Sequence, residues 1–207
     1  AEQDSRNVQI DEKRREYELG KVEAIQDYCD LVLSNSRYPD FFPQTYDVRY
    51  NGDNRMVLVD YQLPAPSNLP TLVEVRYVPS RDDFTEKHLT EPQLNKLYDR
   101  VLYQIVLRSI HELFEADVVN AIDAVVINGH VHSIDRATGK EVNACVLSLQ
   151  ATKAEFEKLN LAQVDPKECF RKLKGVGSAQ LHSITPVAPI VKLDTEDTRF
   201  VSSYAVV

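Results

Sequence analysis

Apolar positions recur with two distinct periods along this chain, and the alternation between them predicts the elements. From Ile10 to about Leu33 a helical spacing near 3.6 residues links Tyr17, Val22, Ile25, Tyr28, Cys29, Val32 and Leu33. Ser34-Asn35-Ser36 and then Pro39 end that helix, and the polar residues before about position 9 are expected to fray. Tyr46 to Tyr50, the turn Asn51-Gly52-Asp53-Asn54, and Met56 to Leu63 read as a β-hairpin. Pro64, Pro66 and Pro70 force a loop, and Leu72 to Val78 suggests a further strand stopped by Pro79. Whether these strands join a later sheet is left open by the pattern. Thr90, as N-cap, and Pro92, in the first turn, open a helix whose stripe runs from Leu94 to Phe114 and ends near Ala116.

The stretch Ala121 to Ala151 organises the rest: two long strands around the polar connection Asp135 to Lys140. Thr152-Lys153-Ala154-Glu155 and Asp165-Pro166-Lys167-Glu168 then open two short helices. Lys174-Gly175-Val176-Gly177 ends the second, and Pro186 to Leu193 reads as a final edge strand. The fold class is therefore α+β, a mixed β-sheet centred on the long hairpin with flanking helices. A division into residues 1–80, a helix and hairpin subdomain, and 81–207, an α/β core, fits the pattern. A single domain is the alternative.

Composition narrows the function classes. With 43% hydrophobic and 27% charged residues the chain is ordinary for a globular protein. A formal net charge of -8 argues against broad, non-specific binding of a phosphate backbone, while leaving room for a local basic patch. Cys29, Cys145 and Cys169 are far apart and odd in number, which favours a reducing, cytoplasmic setting over a disulfide framework. No apolar run approaches the roughly 18 residues of a membrane span. The chain starts at Ala1 and its one methionine is Met56, so it is expected to be a piece of a longer polypeptide or a processed one. Other domains of that polypeptide, or a separate protein, are the expected partners, alongside nucleic acid.

Pairing Ile134 with Glu141 sets a register in which opposed residues sum to 275. One face then carries Asp123, Val125, Ile127, Val131, Ser148 and Gln150, and the other Asn128, His130, His132, Asn143, Cys145 and Leu147. An acid at the start of one strand, near polar groups on its neighbour and preceded by a helix bearing Glu112, resembles the PD-(D/E)XK restriction-endonuclease-like core, closest to its Mrr-type branch. The resemblance covers about residues 92–193. It implies that Asp123 is a metal ligand, that Glu112 is an accessory acid, and that the second strand supplies a Glu or Gln and, two positions later, a lysine. Here that strand reads Ser148-Leu149-Gln150, and Lys153 lies beyond the expected lysine position. A serine is a poor Mg²⁺ ligand beside a carboxylate, so a degenerate site without a cofactor is expected, with Mg²⁺ only if the site is active. Asp123 also suits a plain strand-start residue, and Glu112 an ordinary surface pair with Arg108.

Two other constellations stand out. His130 and His132 share a face with Cys145 opposite His130, an arrangement with transition-metal character but no evident fourth ligand. Arg171, Lys172 and Lys174, followed by Gly175 and Gly177, form the densest basic cluster and resemble the glycine hairpin of helix-hairpin-helix DNA-binding modules. The same residues suit a glycine-rich helix stop with a basic end. No nucleotide-binding glycine loop and no nucleophile motif are present. The reading that results is a nuclease-like domain of a larger, bacterial defence-type protein, non-catalytic and used for nucleic-acid recognition or assembly. The alternatives are a protein-interaction domain and an active metal-dependent nuclease.

Overall fold

The computed structural model describes residues 2–135 and 137–192. Along the chain run α1 (Glu2–Glu18), α2 (Val22–Ser34), β1 (Tyr46–Asn51), β2 (Met56–Leu63), β3 (Leu72–Val78), β4 (Asp83–His88), α3 (Glu91–Ala116), β5 (Ala124–Ile134), β6 (Glu141–Thr152), α4 (Lys153–Phe156), α5 (Pro166–Lys172) and β7 (Val176–Gly177). Short 3-10 turns lie at Pro66–Asn68 and Leu181–Ser183. No helix among the described residues is long and apolar enough to cross a membrane.

The main sheet has the order β1-β2-β5-β6-β7. β2 and β5 run parallel, and every other neighbouring pair is antiparallel. The early hairpin thus joins the long hairpin in one mixed sheet, and the sheet unites strands from both sides of position 80. Parallel neighbours need a crossover, and the segment holding α3 supplies it. Both central strands are covered on both faces, so Val57, Leu58 and Val59, and Val125, Val126 and Ile127, are all fully buried in consecutive runs.

One face carries the main core. Val57, Val59, Leu63, Val125, Ile127 and Leu149 meet Leu102, Val106, Ile110 and Leu113 of α3 and Ile25, Cys29 and Leu33 of α2 in a single cluster. α3 begins as its sequence predicts. The Gln93 side chain accepts from the amide and the hydroxyl of Thr90, at 3.0 and 2.9 Å. The opposite face is thinner: Leu58 and Val126 pack there with Met56 and Val191.

Several sequence expectations change. The single helix over Ile10–Leu33 is two helices, and the residues expected to fray are helical from Glu2. Gly20, at φ 72°, takes the left-handed conformation that closes α1, and Lys21 N donates back to Glu16 O at 3.1 Å. In the first hairpin turn the left-handed residue is Arg55 (φ 52°), while Asn51 Oδ1 accepts from Asp53 N. Strand β4 has no alternating apolar pattern and goes unpredicted; it pairs with β3 as a separate two-stranded ribbon. Pro186 to Lys192 forms no strand, although Val187 N donates to Cys145 O at 2.8 Å; Leu193 lies outside the described residues.

Gly129 sits where β2, β5 and β6 pack most closely. A Cβ there would collide with Leu63 and lie 3.0 Å from Leu147 Cδ1. Gly129→Ala is expected to lower unfolding free energy by roughly 1–3 kcal/mol, as overpacking in a filled core does, measurable by urea denaturation. Gly139→Ala, in an open turn, is the contrasting variant, with strain only from its φ of 66°.

Candidate functional site

The long hairpin contains a β-bulge that redraws its faces. From Ile134↔Glu141 to His130↔Cys145 the partners sum to 275, as expected. Beyond the irregularity at Gly129/His130, Gly129 pairs with Leu147, and Asn128 with Ser148, so the sum becomes 276. Val146 is the extra residue on β6. Past it, every β6 side chain swaps faces relative to the unbroken register. Leu147 therefore lies with Val125 and Ile127 in the core. Ser148 and Gln150 lie with Val126 and Asn128 on the thinner face, away from the side expected for them.

Ser148 is fully occupied there. Its hydroxyl donates to Asn128 Oδ1 at 2.7 Å and accepts from Ile190 N at 3.0 Å, with no exposed surface. Asn128 Nδ2 in turn donates to Asp60 Oδ1 and to Val191 O, both at 2.8 Å. Asp60, Asn128 and Ser148 form one row across β2, β5 and β6. The row straps the segment around Ile190–Val191 onto the sheet. Gln150 is exposed.

Asp123 immediately precedes β5. Its backbone amide donates to Arg55 O at 2.8 Å and its carbonyl accepts from Lys153 N at 2.9 Å. Its exposed carboxylate stands 3.4 Å from Arg55 Nη2. This is the strand-start role rather than a shared site with Ser148 and Gln150. Glu112 is held elsewhere: it accepts from Ser36 and from Arg108 Nε, and Arg108 lies over the Tyr38 ring.

The buried acid that matters at this end of the sheet is Asp117, a residue absent from the candidates that the sequence pattern nominates. Its side chain is 1% exposed. It accepts from Ala121 N at 2.8 Å, Ile122 N at 3.1 Å and Lys153 Nζ at 2.9 Å. Lys153 also reaches Asn120 Oδ1 at 3.0 Å. A sequence signal exists for it: an Asp directly after a helix and before an apolar strand suits a cap for the turn between them. Lys153 is thus committed to a structural ion pair.

His130 faces Cys145 as the register requires, and its Nε2 is buried without a hydrogen bond, 3.5 Å from Asp60 Oδ1. His132 is exposed. Burial and the nearby Asp60 charge push the Cys145 thiol up to about 11, and burial pushes Cys29 up to about 12. Thiols held protonated are poor metal ligands and poor nucleophiles. Among the described residues no group of three or more His, Cys, Asp and Glu side chains could hold a metal ion.

The basic cluster splits. Arg171 turns to Glu168 at 3.1 Å. Lys172 and Lys174 instead line a cleft of about 460 Å³ together with Lys158, Gln150, Thr152, Glu155, Leu159, Leu173 and Ile190. Glu155 accepts from the Thr152 hydroxyl at 2.9 Å. Lys174 adopts φ 59°, and Gly175 has no Cβ because the Phe170 ring occupies that space. The helix-hairpin-helix that the cluster resembles does not form, and the residues take the alternative reading of a helix stop: Val176–Gly177 pairs with β6, and the next element is the 3-10 turn at Leu181–Ser183. The cleft brings together separately nominated residues, Gln150 with Lys172 and Lys174. Comparison with protein-family models, with curated proteins and with solved structures finds no match for this chain.

Two outcomes are expected. Lys153→Met strands a buried carboxylate and should cost roughly 3 kcal/mol, whereas Asp123→Ala removes an exposed pair and should stay within about 0.5 kcal/mol of wild type; denaturant melts separate the two. The thiols set an alkaline limit. In the unfolded chain they ionise near the ordinary 9.0, so between that value and 11–12 the folded state holds protons that the unfolded state has lost. Their contribution is full below pH 9 and falls as pH rises further. Urea midpoints measured at pH 8 and pH 10 should drop at the higher pH, and no thiol should react with a disulfide reagent at pH 8 without denaturant.

Proposed function

We propose that this chain is a nuclease-like domain of a larger protein that recognises nucleic acid through its phosphates and performs no hydrolysis. The observation that carries the reading is the cleft beside β6, where Lys158, Lys172 and Lys174 stand against a single glutamate, Glu155. Lysine ammonium groups act as point charges on phosphate, and a concave wall concentrates their field even in a protein of net charge -8. Gln150 and Thr152 add neutral hydrogen-bonding groups at the floor, suited to phosphate or sugar oxygens.

What supports the nuclease-like part is the order of elements. α3, β5, β6 and α4 follow one another as the restriction-endonuclease-like resemblance expects, with an acid at the start of β5. What supports the non-catalytic part is the fate of the residues. Asp123 pairs with Arg55, Ser148 is sealed in a hydrogen-bonded row on the other face, and Lys153 neutralises Asp117. A metal-dependent phosphoryl transfer needs adjacent carboxylates and a free lysine, whereas Asp123 and Lys153 meet only through their backbones and Ser148 lies on the other face. A defence or restriction setting rests on the resemblance alone.

The test is binding and cleavage of single- and double-stranded DNA and RNA with Mg²⁺ or Mn²⁺ present. Wild type should bind at low salt and cleave none of them. Lys172→Glu with Lys174→Glu should abolish binding, and Lys172→Ala with Lys174→Ala should flatten the salt dependence on duplex by a slope of about 2. Binding unchanged in the charge reversal defeats the cleft. Metal-dependent cleavage lost in Asp123→Ala defeats the non-catalytic reading.

A further inference from the structure

The β3–β4 ribbon stands outside the main sheet and is left uncovered by its helices. Every residue of both strands is exposed except Val78, which is half-buried. Leu72, Val73, Val75, Tyr77 and Phe84 all show large apolar surfaces to solvent, with Val75 at 51% and Phe84 at 65%. Tyr77 and Phe84 contact each other across the ribbon with ring centroids 5.3 Å apart, and the Tyr77 hydroxyl donates to Asp82 at 2.6 Å. The ribbon is therefore ordered by its own contacts. Among the described residues it has no third strand on either side. A two-stranded ribbon by itself is marginal, and an apolar edge invites another strand.

The two edges differ. β4, Asp-Phe-Thr-Glu-Lys-His, is mostly charged and blunted in the usual way. β3, Leu-Val-Glu-Val-Arg-Tyr-Val, has five apolar residues in seven, and its two charges flank Val75 with opposite signs. The bulge lies at the base, between Leu72 and Glu74, and leaves Glu74–Val78 regularly paired with β4.

We infer that β3 pairs antiparallel with β3 of a second copy of this chain about a twofold axis at Val75, making a four-stranded sheet between subunits. A twofold axis there sets Glu74 opposite Arg76 of the second copy and, by symmetry, Arg76 opposite its Glu74. Val73 then faces Tyr77 on both sides of the axis, and Val75 faces its own equivalent. Opposed residues share a face, so the charges meet on one face and Val73, Val75 and Tyr77 on the other. The partner is fixed by this self-complementarity: an axis at Glu74 or at Arg76 would instead set like charges together. The pairing involves neither the lysine cleft nor the long hairpin, so it stands independently of the nucleic-acid reading.

Sedimentation or light scattering of the intact chain over a concentration series should show a dimer. Glu74→Arg places two arginine pairs across the axis and should weaken the dimer roughly tenfold or more. Glu74→Arg combined with Arg76→Glu restores opposite charges and should restore the dimer, an outcome that a merely damaged ribbon would not give. Val75→Cys should cross-link to its equivalent on mild oxidation, since the three native thiols are buried. A monomer at all concentrations overturns the inference. So does a dimer that survives Glu74→Arg unchanged, a double variant that stays monomeric, or a Val75→Cys dimer that fails to cross-link.

Discussion

The parallel pairing of β2 with β5 is the constraint on which this architecture depends. Two antiparallel hairpins could each fold locally, but neither would bury its apolar face alone. Joining them through Met56↔Ala124 to Leu63↔Val131 makes a single sheet and forces the chain between them to cross over. That crossover contains α3, which lands on one face and supplies Leu102, Val106, Ile110 and Leu113 to the shared core. The same pairing puts Val57–Val59 and Val125–Ile127 side by side in the centre of the sheet, covered on both faces. At about 25 cal/mol per Å² of apolar surface, each of these fully buried side chains contributes favourably to the core.

A buried polar group costs free energy unless it is hydrogen-bonded, and two buried clusters here meet that cost by fixing connections. The Asp117 carboxylate gathers two backbone amides and Lys153, tying the end of α3 to the start of β5 and the end of β6. The row Asp60, Asn128 and Ser148 performs the corresponding task on the thinner face, pinning the segment near Ile190. Both arrangements are built from carboxylate, amide, hydroxyl or ammonium groups. Their lone pairs and protons are spent on the fold. Chemistry at the surface is left to other regions, a lysine-lined cleft beside β6 and an apolar ribbon on the crossover.

Charge distribution explains how an acidic chain accommodates a basic cleft. Lys158, Lys172 and Lys174 come from the turn after α4, the end of α5 and the left-handed residue beyond it, which the topology converges on β6. Arg171, next to Lys172 in sequence, points away to Glu168. Adjacency along a helix separates side chains by about 100°, so a dense basic run need not be a single patch.

Much of the fold could be read from the residues alone, because its signals are local. Thr90 with Pro92 opens α3, the apolar stripe carries it to Ala116, the Asn51 turn makes the first hairpin, Thr152 stands at the start of α4 and Asp165 caps α5. The hairpin register held as far as His130↔Cys145 for the same reason, since a short turn sets it. Three things were decided by tertiary structure. The parallel β2–β5 contact lies more than sixty residues apart in sequence and leaves its trace only in the consecutive apolar runs of both strands. The bulge at Val146 arises where Leu147 must fill the core against Gly129, and it moves Ser148 and Gln150 to the other face. Asp117 became the central acid because burial, which no local pattern encodes, surrounded it with amides and Lys153. Periodicity and capping are properties of neighbouring residues and belong to the sequence; faces, burial and the company a side chain keeps belong to the packed sheet.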